Sequence, residues 1–227
     1  MTEIDKRSAL ITFLHQAKRA KWEMLEEYKA KGQLGAQRPD FLWHYLLASF
    51  STWGNSRGYA GLINNPSNYQ KVSWSNIENL QDEDLLQVIH ETLASAKVSR
   101  AKNKAPMLQI NARKIKDLGG VEKASDMARS QRGRDAKIAF LRQFKGIGKK
   151  YARNIWMDVY DPDFRQSIAI DDRILGISKL LGVSYKPSEY EAHEQFYLDL
   201  AQEVGVEGWE LDRLLYESKD EIVEVLK

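Results

Sequence analysis

The chain has 227 residues, 34 Lys and Arg against 32 Asp and Glu for a formal net charge of +2, and no cysteine. Such a length can bury a sizeable core, as one large domain or as two small subdomains. Without sulfur ligands a disulfide framework, a thiolate zinc site and a cysteine-ligated iron–sulfur cluster are all excluded.

Along the chain, apolar residues recur at steps of three and four, first at Leu10, Phe13, Leu14 and Ala17 and again at Leu85, Leu86, Ile89 and Leu93. Alternating strand patterns are scarce, so an all-α protein is expected. The periodicity predicts helices over about 5–31, 40–50, 75–80, 82–97, 107–118, 120–129, 134–143, 148–160, 171–181, 187–204 and 208–225. Ser75, three residues before Glu78, reads as a capping box, and Gly32, Gly119, Gly120 and Gly182 stand near expected helix ends. Ser51 to Val72 and Asp161 to Ile168 read as loops able to line a cleft. His15, His44, His90 and His193 are scattered without pairing, so they read as ordinary helix residues and no metal site is expected. No run approaches the roughly 18 apolar residues of a membrane span, and the start MTEIDKRSAL lacks a signal peptide's apolar stretch; a cytoplasmic protein with no membrane partner is expected.

Charge is unevenly spread. Lys97 to Arg153 is rich in Lys and Arg, whereas Glu189 to Glu224 is mostly acidic. A basic middle suits a phosphate-bearing partner, and equally a solvated helical surface with none.

The most informative stretch runs from Phe140 to Leu175, FLRQFKGIGKKYARNIWMDVYDPDFRQSIAIDDRIL. It reads as helix, glycine hairpin, helix. Gly146 and Gly148 around Ile147 permit positive φ and close backbone approach, and the helix that follows leaves its first N–H groups free, which suits a phosphate oxygen. Ile147 can plug the space between the helices while Lys145 and Lys149 face a nucleic-acid backbone; a plain helix cap would read the same way. Ala152, Ile155, Trp156 and Val159 form one apolar stripe, with Lys150 roughly opposite it. In that first turn the positive end of the helix dipole and neighbouring Lys149 disfavour an ammonium, partial burial would add to the effect, and the free amine is the form that attacks carbon. A lysine that only contacts phosphate satisfies the same pattern. Asp171, after Ile168-Ala169-Ile170, is placed either as a helix N-cap or as a carboxylate that stabilises developing positive charge.

The block FKGIGKKYARNIWMD followed by SIAIDDRIL resembles the signature of the helix-hairpin-helix base-excision DNA glycosylase superfamily, which includes endonuclease III and the 8-oxoguanine DNA glycosylases. Against that family's Leu-Pro-Gly-Val-Gly-x-Lys-x-Ala hairpin, Gly146, Ile147, Gly148, Lys150 and Ala152 match, while Phe144 and Lys145 replace Leu and Pro. The resemblance places Lys150 on the nucleophile and Asp171 on the catalytic aspartate, with Arg173 where His is frequent. A bifunctional enzyme is thereby implied, one that removes a damaged base through a Lys Schiff base and then cuts the strand by β-elimination. The missing cysteines set it apart from the iron–sulfur subgroup, and the run Leu211, Asp212, Leu215, Tyr216, Glu217 is similar to compact archaeal-type 8-oxoguanine glycosylases.

The implied partner is double-stranded DNA carrying a damaged base, bound by a monomer that is nucleoid-associated in the cytoplasm. No cofactor is required, and the resemblance allows a monovalent cation at the hairpin carbonyls. A single domain over 1–227 is expected, with helical subdomains over about 40–130 (the wedge-loop side) and 1–39 plus 131–227 (the hairpin and aspartate side) flanking a DNA-binding cleft. An enzyme of this kind turns its base out of the stack. For the wedge, Asn55 or Trp53 is expected to fill the gap and Arg57 to bond the orphaned base; for the pocket, Trp43, Phe50, Trp53, Trp209 and Tyr216 offer flat faces, and Asp212 an acceptor by resemblance alone. Each also has a plainer reading, as turn, core or surface residue, and His44 beside Trp43 reads as structural. Two other functions fit the pattern: a DNA-binding module that uses the hairpin without catalysis, and a helical protein-interaction domain.

Overall fold

Helices account for all the regular structure in a computed structural model that describes residues 3–54 and 57–227; among these residues there is no strand. In chain order they are α1 (Glu3–Ala20), α2 (Trp22–Ala36), α3 (Phe41–Thr52), α4 (Arg57–Leu62), α5 (Pro66–Lys71), α6 (Trp74–Ile77), α7 (Asp82–Ser95), α8 (Ala101–Asp117), α9 (Val121–Arg129), α10 (Arg134–Leu141), α11 (Lys149–Asp158), α12 (Asp172–Leu181), α13 (Tyr190–Val204), α14 (Gly208–Glu217) and α15 (Lys219–Leu226). No helix among the described residues is long and apolar enough to cross a membrane.

Several boundaries depart from the periodicity, each for a local reason. The stretch from 51 to 72, expected to be irregular, holds α4 and α5. Asn65 caps α5 by accepting from Asn68 N, and Pro66 supplies a preset φ at its first turn. Helix α6 starts at Trp74, so Ser75 lies inside it and forms no capping box. The indole of Trp74 is buried 5.8 Å from that of Trp43, which sets that start. Helix α8 begins at Ala101 and runs through Pro106, where the pattern had placed a helix start. Burial of Ala105, Leu108, Ala112 and Ile115 on one face outweighs the single main-chain bond that proline removes. The expected helix at the start of the chain divides at Lys21, and that at its end divides at Ser218.

Contacts divide the chain into two units, Met1–Leu34 with Trp156–Lys227, and Gly35–Ile155. The hairpin was expected in the same subdomain as the chain ends, with a boundary near 130. It belongs instead with 35–155, because side chains of α3 and α8 hold its main chain. In that unit α3 is central: Phe41, Leu42, Trp43, Leu46, Leu47 and Phe50 are all buried, and α4, α8 and α9 pack on it. In the other unit α1 packs on α13 and α15, while α14 packs on α13 and α12 on α15. A buried hydroxyl relay ties α12 to α13, Ser178 Oγ lying 2.7 Å from His193 Nε2 and 2.8 Å from Tyr197 OH.

His44 is structural. Its Nδ1 lies 2.8 Å from Tyr69 OH, which donates to Asp40 at 3.2 Å, and Arg38 grips the same carboxylate. Burial first, then the Arg38 charge, lowers the imidazole to about 4. Because the folded value lies below the ordinary one, the unfolded chain binds the extra proton. This contribution to stability is therefore complete above about pH 6.5 and lost as pH falls towards 4. Urea unfolding at about pH 7 and about pH 4.5 should show wild type losing of order 2–3 kcal/mol more than His44→Gln over that interval. An equal loss in both proteins would assign the acid sensitivity to other groups.

Candidate active site

The hairpin lies between the end of α10 and the start of α11. Its backbone is held from α8: Asn111, fully buried, donates from Nδ2 to Lys145 O at 3.0 Å and accepts from Lys145 N at Oδ1 at 2.7 Å. One side-chain amide thus satisfies both main-chain groups of the residue entering the turn. Gly146 has φ +84, and a Cβ there would come within 2.7 Å of Phe50 Cζ, so only glycine fits. Gly148 is different from what the motif suggested. It has no positive φ, and nothing lies within 4 Å of where its Cβ would be, so its backbone faces open space.

Ile147 is buried, its N–H donating to Phe144 O at 3.1 Å, and fills the space beneath the turn. The first main-chain bond into α11 among the described residues runs from Ala152 N to Gly148 O at 3.0 Å, leaving the amides before it directed out of the helix end. Around them Lys145, Lys149 and Lys150 are exposed; Lys150 is not partly buried. An open depression of 440 Å³ adjoins the turn, lined by Ile110, Lys114, Arg142, Lys145, Gly146 and Gly148 among others. Positive charge, bare amides and a concave surface together can seat a phosphate.

Asp171 belongs to the other unit and does cap α12: its Oδ1 accepts from Arg173 N and Ile174 N, each at 3.1 Å. Arg173 Nε lies 3.5 Å from the same oxygen, and among the described residues no hydrogen bond reaches Oδ2. The irregular segment leading to Asp171 is pinned by side chains. Ile168 N donates to Glu194, Ala169 N to Asp212 Oδ1 and Ile170 N to Tyr190 OH. Asp212 also receives Arg173 Nη2 at 3.1 Å and is 2% exposed. Arg173, unexplained by the motif, is the link between the capping carboxylate and this buried one. Asn111 was not singled out by sequence, Arg173 only as a departure from the motif, and the only signal for Asp212 was resemblance.

The remaining candidates separate clearly. Trp43 and Trp209 are core: their indole N–H groups donate to Val72 O at 2.7 Å and Met157 O at 2.6 Å, and both rings are sealed. Phe50 is buried against Gly146, and Asp212 is spent on main chain and Arg173, so none of these four has an open face. Trp53 is half-buried, 5.9 Å from the Phe50 ring and 6.5 Å from that of Tyr151. Tyr216 is 60% exposed with the Arg173 guanidinium 5.1 Å from its ring centre. Arg57 opens α4 and is exposed, while Asn55 lies outside the described residues. No three His, Asp or Glu side chains gather as a metal site among the described residues.

No protein-family model matches the sequence, and no curated protein matches it. Solved structures do match in fold. The 8-oxoguanine DNA glycosylase of Methanocaldococcus jannaschii superposes with a TM-score of 0.73 at 17% identity, over 95% of this chain and 96% of that one. The 8-oxoguanine DNA glycosylase of Thermotoga maritima gives 0.69 at 17% identity, over 92% and 95%. The M. jannaschii 8-oxoguanine glycosylase/lyase in complex with a 15mer DNA containing 8-oxoguanine gives 0.70 at 16% identity, over 91% and 95%. The chain has the all-α fold of these enzymes.

Two substitutions test the supports. Asn111→Leu keeps the volume but leaves the Lys145 N–H and C=O unpaired, and should cost about 2 kcal/mol in urea unfolding. Asp212→Asn leaves the Arg173 guanidinium without its buried partner and should cost about 3 kcal/mol. A change below about 0.5 kcal/mol in either would show that the bonds contribute little.

Proposed function

We propose that the protein is a base-excision DNA glycosylase with associated AP lyase activity, acting on duplex DNA that carries an oxidised base such as 8-oxoguanine. The observation that carries this reading is Lys150 itself: an exposed primary amine in the first turn of α11, beside a glycine hairpin whose amides and lysines suit phosphate. Support comes from the shared fold, since solved structures that have it include 8-oxoguanine DNA glycosylases, one of them in complex with DNA containing 8-oxoguanine.

In this mechanism the hairpin binds backbone phosphate and so sets the register of the strand. The Lys150 amine forms a bond to sugar C1′ as the bond from C1′ to the base breaks, and one of the two amine protons passes to the departing base. The second amine proton goes to the ring oxygen O4′ as the bond between C1′ and O4′ opens, giving an imine. Removal of a C2′ proton then expels the 3′ phosphate oxygen and breaks the strand. By the resemblance, the Asp171 carboxylate, with Oδ2 unspent, stabilises positive charge at the sugar. Capping by Oδ1 fixes its direction.

No cofactor takes part. A monovalent cation at the hairpin would be held by main-chain oxygens such as Phe144 O, which accepts one bond and retains a lone pair. The protein would act as a monomer in the compartment that holds the chromosome. Borohydride trapping with an abasic or 8-oxoguanine duplex tests the chemistry: wild type should give a covalent protein–DNA adduct, and Lys150→Gln should give none while keeping salt-sensitive DNA binding. Salt-sensitive binding without any adduct would mark a non-catalytic DNA-binding module, and no binding at low salt an interaction domain.

A further inference from the structure

A buried lysine outside the hairpin remains unexplained by the chemistry above. Lys104, near the start of α8, is 1% exposed. Its ammonium donates to Phe50 O at 2.8 Å, Trp53 O at 2.5 Å and Ser99 Oγ at 3.3 Å, at the end of α3 where helix carbonyls lack partners. Ser99 Oγ in turn donates to Trp53 O at 2.8 Å. Burial, helped by the charge of Arg100, lowers Lys104 to about 8, which reflects the electrostatic cost of placing an ammonium there. A methionine would fill the same space without that cost, so the charge and its donors need a reason.

The residues Lys104 holds provide one. Phe50 Cζ limits the space at Gly146, inside the turn. The Trp53 ring lies edge-on to Phe50 and 6.5 Å from Tyr151, the residue after Lys150. Tyr151 also hydrogen-bonds Thr52, and its burial raises the phenol. Both carbonyls gripped by Lys104 thus belong to residues whose rings lie beside Gly146 and Tyr151, on either side of Lys150. We propose that Lys104 is a positioning residue for Lys150, fixing the last turn of α3 so that Phe50 and Trp53 brace Gly146 and Tyr151. The inference rests on the lyase reading for its activity arm but not for its geometric arm.

Both arms use the full chain. Lys104→Met removes charge and donors, and Lys104→Gln restores N–H donors without charge; circular dichroism establishes folding of each. Single-turnover borohydride trapping on a saturating abasic duplex should slow about tenfold or more in Lys104→Met, with the Kd changed less than about threefold, and recover partly in Lys104→Gln. Acrylamide quenching of Trp53, isolated by subtracting the same variants in a Trp53→Phe background, should increase in Lys104→Met. Unchanged trapping in a folded variant, or slower trapping with unchanged quenching, overturns the proposal. If Lys104→Met does not fold, Lys104→Gln decides by the same two readouts. A wild type that never traps sinks the lyase reading, and the quenching arm then decides the bracing of Trp53 by itself.

Discussion

The turn from 145 to 148 interrupts two helices, and an exposed main chain of this kind keeps one shape only if buried groups hold it. Asn111 supplies that constraint. It bonds both the N–H and the C=O of Lys145, and its own amide is wholly buried, so the turn inherits the rigidity of α8. From there the consequences follow along the chain. Gly146 can take its positive φ against Phe50, Ile147 can fill the space below, and α11 starts at a fixed place with Lys149 and Lys150 outward.

The same logic governs the segment before Asp171. Residues 168–170 have no regular structure, and their N–H groups are met by Glu194, Asp212 and Tyr190. Asp212 serves twice, since it also anchors Arg173, whose Nε approaches the capping oxygen of Asp171. A buried carboxylate between a main-chain amide and a guanidinium is costly to form and more costly to break, so it holds the aspartate's surroundings in one arrangement.

These relations explain what could be read in the sequence. The glycine hairpin, the exposed Lys150 and the Asp171 cap are encoded within a few residues, where helical spacing and glycine placement suffice. Helix α4 and helix α5 escaped because six residues carry too little periodicity to register. Asn111, Lys104 and the Arg173–Asp212 pair escaped for another reason: their partners lie 34, 54 or 51, and 39 residues away. Aromatics posed the converse difficulty. Trp43 and Trp209 offered flat faces on paper, yet each spends its one donor on a carbonyl within the core, and of the five pocket aromatics only Trp53 and Tyr216 keep an exposed ring. Arg173, an oddity against the motif, becomes intelligible once Asp212 is seen at the end of its reach.

The central claim is that one particular amine, among several lysines on the same surface, is the nucleophile. Peptide mapping by mass spectrometry of the borohydride-reduced protein–DNA adduct addresses it directly. The account predicts that the reduced sugar is carried on the Nζ of Lys150. An adduct on Lys145, Lys149 or another amine would contradict it.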